Sequence, residues 1–185
     1  VDISSMVSGE EKFSGATIAP SGLVDFSPVN ADCVGTFDAS SSTFACVSIS
    51  ATLSDEYKFR GAATAPNGLV VFATSNVDCF GTYDASSGAF ACADISTIVS
   101  GSGKFRGAAT APSGLVVFVP RKADCVGIYD ASSDAFACID ISTMISANFK
   151  FSGAAIATSG LVVFAPNSAD SVGTLSITSC NAASL

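Results

Sequence analysis

Seven cysteines are the residues of this chain whose spacing most directly predicts chemistry. Six of them form three pairs, and the members of each pair are 13 residues apart, on either side of an Asp-Ala-Ser-Ser turn. A hairpin centred on that turn, between Ala39 and Ser40 in the first pair, would place the two thiols directly opposite each other on adjacent strands. That arrangement permits a disulfide after a local twist. We therefore predict three disulfides in an oxidising compartment: Cys33–Cys46, Cys79–Cys92 and Cys125–Cys138.

The alternative for these six residues is that they remain free thiols and pack as small apolar side chains. A zinc or iron–sulfur site is disfavoured, because none of these pairs has the close Cys-x-x-Cys spacing. The seventh cysteine, Cys180, has no partner at the same distance, since Ser171 stands where the earlier copies have their first cysteine. We predict that Cys180 is unpaired or bonded to another chain.

Two rows of aspartates recur along the chain. An aspartate before Ala-Ser-Ser is a typical former of Asx turns, and an aspartate at a loop end closes the loop, so turn chemistry is the first interpretation. A calcium site made of clustered carboxylates is the alternative, although the sequence has no Asp-x-Asp-x-Asp-Gly run. The two rows are Asp32, Asp78, Asp124 and Asp170, and Asp38, Asp84 and Asp130.

A row of lysines, each followed by phenylalanine, is expected at strand edges, where solvated lysines discourage unwanted pairing. The alternatives are that the ammonium groups form a ring or pair with the aspartates. The row consists of Lys12, Lys58, Lys104 and Lys150.

Histidine and tryptophan are both absent from the sequence. Without histidine the chain has no Ser-His-Asp or Cys-His pair, no histidine metal site and no histidine general base. We predict that the protein is not an enzyme and has no catalytic, cofactor-binding or metal-binding residues. A hydrolase or lactonase activity would need a metal held by Asp, Asn and Glu alone.

The charge pattern excludes several partners. The net charge is −8 and the cations are scattered, so there is no basic stripe for nucleic acid or for an anionic membrane surface. No apolar run approaches the roughly 18 to 20 residues that span a bilayer. Hydrophobic residues make up 49% of the chain and charged residues only 13%, which indicates large buried strands or a surface covered by partners. The start at Val1 fits a processed chain, as it would a truncated one.

The whole chain is a repeat array with a period of 46 residues. The stretch GAATAPNGLVVF at residues 61–72 recurs as GAATAPSGLVVF at 107–118, and as GATIAPSGLVDF and GAAIATSGLVVF at 15–26 and 153–164. We expect one repeat domain over residues 1–185, with repeats 1–46, 47–92, 93–138 and 139–185.

Each repeat carries signals for four short strands. In the second copy, a run of small residues leads to the Pro66-Asn67-Gly68 turn, and an apolar strand, a polar loop, the strand 79–84, an Ala-Ser-Ser-Gly turn and the strand 89–96 follow. This order resembles the YVTN and NHL type of β-propeller repeat and, more distantly, kelch repeats; it is also similar to repeat proteins of microalgae. The resemblance implies an all-β fold: a small four-bladed β-propeller, or an open array that a neighbouring chain completes.

The two ends of the array differ. Residues 1–4 match the end of the fourth strand, as in residues 93–96, whereas the last copy lacks a matching fourth strand. The N-terminal piece would either complete the last blade and close the ring, or pair with the last blade of a neighbouring molecule and build a filament. Asp25 and Thr158 depart from the consensus in the terminal copies, and we expect them at contacts between subunits or at the closing seam.

Together these features predict a non-catalytic structural or protein-interaction subunit of an extracellular or lumenal assembly. Its expected partners are other protein subunits, with copies of itself as one alternative. A second hypothesis is a carbohydrate- or small-ligand-binding module, with Tyr83 and Tyr129 as aromatic surface at equivalent positions.

Overall fold

The structure, a computed structural model, describes residues 1–177 and is built of strands, turns and loops. These residues contain no helix long and apolar enough to cross a membrane. The strands are β1 (Phe13–Ile18), β2 (Val24–Pro28), β3 (Cys33–Asp38), β4 (Thr43–Ser48), β5 (Phe59–Thr64), β6 (Val70–Thr74), β7 (Cys79–Asp84), β8 (Ala89–Asp94), β9 (Phe105–Thr110), β10 (Val116–Pro120), β11 (Cys125–Asp130), β12 (Ala135–Asp140), β13 (Phe151–Ile156), β14 (Val162–Pro166) and β15 (Gly173–Leu175).

Consecutive strands form four antiparallel sheets, which we call blades 1 to 4. Blades 1, 2 and 3 are β1-β2-β3-β4, β5-β6-β7-β8 and β9-β10-β11-β12, and blade 4 is β13-β14-β15 within the described residues. The predicted all-β, four-bladed propeller architecture is therefore confirmed, with the four strands expected per repeat in the first three blades.

Glycine explains why the recurring stretch is so regular. The first strands of successive blades lie side by side, and Gly61 faces the backbone of Gly107, which leaves no room for a Cβ atom. Gly61 also has a φ of 122°, a backbone conformation that residues with a Cβ rarely adopt. Gly15 and Gly107 meet the next blade in the same way, so a row of glycines joins the blades at the centre.

The hydrophobic core lies between the blades. Phe59 and Phe72 of blade 2 are completely buried and pack against Val34 and Ile49 of blade 1 and its connecting segment. The same arrangement joins blade 2 to blade 3 and blade 3 to blade 4. One face of each blade therefore receives the preceding blade, and the opposite face receives the following one.

The third and fourth strands of blades 1 to 3 carry the predicted disulfides Cys33–Cys46, Cys79–Cys92 and Cys125–Cys138, each with a Cα–Cα distance of 5.4 Å. The predicted register was wrong, because the centre of the turn lies one residue later in the chain, between Ser40 and Ser41. Cys33 is opposite Ser48, and Cys46 is opposite Gly35, so the bonded cysteines are diagonal neighbours.

The shift in register comes from the turn. Asp38 accepts hydrogen bonds from Ser40 and Ser41, and Ser42 has a φ of 54°. Four residues, 39–42, are therefore needed to reverse the chain between Asp38 and Thr43.

The blades follow one another without closing on themselves. β1 packs on β5, β5 on β9 and β9 on β13, but β13 makes no comparable contact with β1. A Cβ atom on Gly153 of blade 4 would meet nothing within 4 Å. Residues 1–4 belong to no strand and blade 4 has three strands in the described part, so the N-terminal segment does not complete blade 4 of its own chain as one alternative expected.

Candidate functional site

The three internal joints between blades share an ion pair between a buried lysine and an exposed aspartate. The lysine at the start of each following blade is at most 1% exposed, and its ammonium group lies 3.0–3.3 Å from an aspartate of the preceding blade. The expectation that these lysines are solvated at strand edges is therefore wrong, and the alternative of pairing with aspartates describes them. The pairs are Lys58–Asp32, Lys104–Asp78 and Lys150–Asp124.

Burying an ammonium group is costly unless it is paired and hydrogen-bonded. Lys104 meets this need by donating to the carbonyl oxygens of Val77 and Asn76 at 3.0 and 3.3 Å. Lys58 has its ion pair but no hydrogen bond. Each lysine charge therefore meets its counter-charge at one defined point of the preceding blade.

Backbone and turn contacts repeat at the same joints. The amide of each buried lysine donates to a carbonyl of the preceding blade: Lys58 to Val29 at 3.0 Å, Lys104 to Ser75 at 3.0 Å, and Lys150 to Arg121 at 2.8 Å. The turn proline of each blade packs on the turn glycine of the next: Pro20 on Gly68, Pro66 on Gly114, and Pro112 on Gly160. Each joint is thus specified by several independent contacts.

In blade 1, the surface that a preceding blade would cover is partly exposed. Phe13, Phe26 and Phe37 are only half-buried, whereas the corresponding aromatic residues of blades 2 and 3 are at most 2% exposed. Val1 and Ile3 lie with these rings and with Phe44 around an open groove of about 420 Å³. We call this surface the aromatic face: Val1, Ile3, Phe13, Phe26, Phe37 and Phe44.

Blade 4 leaves the opposite side of a joint unfilled. Val172 is 57% exposed, although the matching Val34 and Val126 are buried. Val163 is half-buried and Ala165 is exposed, while their counterparts in blades 2 and 3 are completely buried. We call Val163, Ala165 and Val172, with the neighbouring Asp170, the valine face.

Asp25 is the polar residue that departs most from its surroundings. It is completely buried, both of its carboxylate oxygens lack a hydrogen-bond partner, and burial raises its pKa to about 6. The matching residues in blades 2 and 3 are Val71 and Val117. Asp25 also contributes to the raised pKa of Tyr83 in blade 2, which places it at the joint between blades 1 and 2. Its expected position at the seam is therefore wrong.

Thr158, the second departure from the consensus, is exposed in the turn of blade 4. It occupies the position of the prolines that pack on the next blade's turn glycine, and so marks the open side of this blade.

The turn aspartates behave as predicted. The amide and the hydroxyl of Ser40 donate to one oxygen of Asp38 at 2.8 and 2.7 Å, and the hydroxyl of Ser41 donates to the other oxygen at 2.8 Å. These bonds lower the pKa of Asp38 to about 2. Asp84 and Asp130 have equivalent bonds. Within residues 1–177 no three acidic, cysteine or histidine side chains are grouped to hold a metal ion.

The tyrosines do not form the aromatic surface that the ligand-binding hypothesis required. Tyr83 and Tyr129 are each 2% exposed, and the hydroxyl of Tyr129 donates to Asp134 at 3.0 Å. Both rings pack between blades and cannot stack on a sugar. The remaining predicted residue, Cys180, lies outside the described residues.

The four blades superpose on part of larger propeller proteins. Virginiamycin B lyase from Staphylococcus aureus, in a catalytically inactive form with quinupristin, matches with a TM-score of 0.73 at 15% identity, over 92% of this chain and 55% of that one. A streptogramin B lyase matches with a TM-score of 0.72 at 16% identity, over 92% and 53%. An auxiliary nutrient binding protein from Bacteroides ovatus matches with a TM-score of 0.62 at 10% identity, over 89% and 45%.

This chain therefore spans a little over half of the length of the lyases that it matches. At these identities the likeness shows the fold, and it agrees with the propeller resemblance of the repeats. No protein-family model matches the sequence, and no curated protein matches it.

Proposed function

We propose that this protein is a non-catalytic propeller module that binds other protein through its unfilled blade faces and serves in an extracellular or lumenal assembly. The observation that carries the proposal is the aromatic face, where Phe13, Phe26 and Phe37 stay half-exposed although their counterparts in the other blades are buried. Contiguous exposed apolar surface of this kind is typical of protein interaction sites.

The chemistry of the face supports a protein partner over a small ligand. The aromatic face consists of apolar side chains, and it is a broad groove along a sheet. Small-molecule sites combine an apolar lining with several converging polar groups, and this groove has none. The partner should therefore present an aliphatic sheet surface, as the preceding blade does at every internal joint.

Two further observations support the proposed oxidising compartment and the proposed non-catalytic role. Three disulfides in 185 residues fit an oxidising compartment. The chain has no histidine, and the described part holds no metal-binding cluster, so the fold is proposed to provide shape and contact surface instead of catalysis.

Hydroxyl-radical footprinting tests this proposal. Oxidation of Phe13, Phe26 and Phe37 would be measured by mass spectrometry in native, assembled material and in the same protein diluted until it is monomeric. We expect strong protection of these three rings in the native material only. Phe59 and Phe72 are the internal control, because they are buried in both states. Equal oxidation of the aromatic face in both samples would contradict the proposed function.

A further inference from the structure

The aromatic face and the valine face are the two halves of one joint. Each internal joint combines a pair between a buried lysine and an exposed aspartate, a contact between inner glycines, and a turn residue packed on a turn glycine. Every one of these residues has a counterpart at the two open faces. The aromatic side carries Lys12, Gly15 and Gly22, and the valine side carries Asp170, Gly153 and Thr158.

These counterparts lack the partner that their internal equivalents have. Lys12 is half-exposed and donates to the carbonyl of Gly9 in its own loop. Asp170 is exposed, as its internal equivalents are, but no ion pair of it is found within residues 1–177. A Cβ atom on Gly22 would meet nothing within 4 Å, whereas Gly68, Gly114 and Gly160 each touch a proline.

The N-terminal segment is already shaped for the joint. The carbonyl of Ile3 accepts from the amides of Met6 and Val7 at 3.0 and 2.9 Å, as the carbonyl of Ile49 accepts from Thr52 and Leu53 at 2.9 Å between blades 1 and 2. Val7 is 6% exposed and packs beside Cys33. Residues 1–7 therefore have the conformation of the segment that connects a preceding blade to the next one.

The pairing of β3 with β4 in blade 1 also predicts contacts between the two open faces. In blade 1, Val34 pairs with Val47, and the amide of Ile49 donates to the carbonyl of Asp32 at 2.9 Å. The period of 46 residues translates these contacts into Val172 with Val1, and Ile3 with Asp170. Val172 and Val1 are 57% and 74% exposed, so both lie open for this pairing. β15 is the outermost strand of blade 4 in the described part.

We propose that the occupant of the aromatic face is the valine face of a second copy of this chain. This inference rests on the proposed function and names its partner. Residues 1–3 of one copy pair with residues 170–172 of the other, next to the start of β15, and Lys12 pairs with the other copy's Asp170. Two copies joined twice in this way close an eight-bladed ring with two-fold symmetry.

The shape of the chain favours a ring of two copies. β13 makes no contact with β1 comparable to those between the first strands of successive blades, and this chain covers 55% and 53% of the length of the two lyases that it matches. Two copies together are slightly longer than one of these lyases, and we expect their eight blades to close one ring. Closure buries both open faces and leaves no unpaired edge, which limits growth into fibres.

Charge reversal on the two sides tests the geometry. Lys12→Glu and Asp170→Lys each place like charges at both joints of a homodimer. A mixture of the two variants restores one pair as Glu with Lys and keeps the other as Lys with Asp. Native mass spectrometry and sedimentation equilibrium would be run in a Cys180→Ser background, so that no disulfide through that residue contributes. Glu56→Lys, an exposed change away from both faces, is the control.

The expected result is a species of twice the 18.4 kDa chain mass for the parent and for Glu56→Lys. We expect dimer dissociation constants at least about tenfold higher for each reversed variant alone, and heterodimers when the two are mixed. A parent that is monomeric at all concentrations, a dimer insensitive to both reversals, or a series of growing multiples would overturn the two-copy ring. If the parent is monomeric while the aromatic face is protected in native material, the proposed function stands and the partner is a different protein.

Discussion

At the scale of single residues, the buried carboxyl group of Asp25 destabilises the folded state when it is charged. Asp25 is completely buried without a hydrogen-bond partner, at a position where blades 2 and 3 have valine. Its raised pKa of about 6 reflects the cost of keeping a charge out of water. Because the folded state holds the proton more tightly than the unfolded chain, this group favours folding below its unfolded pKa, and the benefit is lost as the pH rises through about 6.

We therefore expect Asp25→Val to stabilise the protein at pH 7.5 by up to roughly 3 kcal/mol. The gain should shrink as the pH falls from 6 towards 4, since wild-type Asp25 is then neutral. Urea unfolding of both proteins between pH 4.5 and 7.5 measures the difference. Asp94→Ala is the matched control: hydrogen bonds from Ser96 lower the pKa of Asp94, so Asp94 stays ionised over this range and the difference from wild type should not change with pH. A pH-independent effect of Asp25→Val would show that the carboxyl is not buried as a charge.

The inner glycines give a second prediction at this scale. Gly61→Ala should lower the free energy of unfolding by at least about 3 kcal/mol, because the new Cβ atom meets the Gly107 backbone and because φ is 122°. Gly9 has a φ of 83° but open space around it. Gly9→Ala should therefore lower the free energy of unfolding by only about 1 to 2 kcal/mol. Similar losses in the two variants would mean that the blades are not in contact at Gly61.

At the scale of elements, the disulfides brace the outer hairpin of each complete blade. Each bridge links a third strand to a fourth strand, and the fourth strands are the least buried strands of blades 2 and 3, while in blade 1 β4 has as many exposed residues as β1. Short strands at a sheet edge contribute few contacts of their own. The bridges are therefore expected to act mainly by restricting the unfolded chain.

Removing one bridge with the double change Cys79→Ala and Cys92→Ala should reduce the free energy of unfolding by about 3 kcal/mol. Chemical unfolding measures this, and Cys180→Ser serves as the control with an expected effect near zero. A thiol count on unreduced, denatured protein should give one free thiol per chain, which disappears in Cys180→Ser. A count near seven would contradict both the bridges and the oxidising compartment.

Most of the strands and blades could be predicted from the sequence, because they depend on local chemistry. The 46-residue period, the Pro-x-Gly turns and the paired cysteines specify the strands and the blades. The register of the outer hairpin could not be obtained in the same way. It depends on whether Asp38 organises two or four turn residues, and both lengths fit the spacing of Cys33 and Cys46.

At the scale of the whole molecule, the properties that sequence reasoning missed are those that arise between blades. The burial of Lys58, Lys104 and Lys150 depends on the preceding blade that covers them. The position of Asp25 depends on which face of blade 1 is covered. The open seam depends on the curvature added at each joint, and 46-residue repeats can curve into rings of different size.

In the proposed assembly, the two terminal faces that are open in one chain are filled by another copy. Cryo-electron microscopy of the chain at a concentration where it has assembled tests this most directly, because class averages show how many blades surround the axis. We predict an eight-bladed ring with two-fold symmetry, in which Phe13, Phe26 and Phe37 are covered by blade 4 of the second copy. A closed ring of four blades, made by a single chain with blade 4 seated on blade 1, would contradict it.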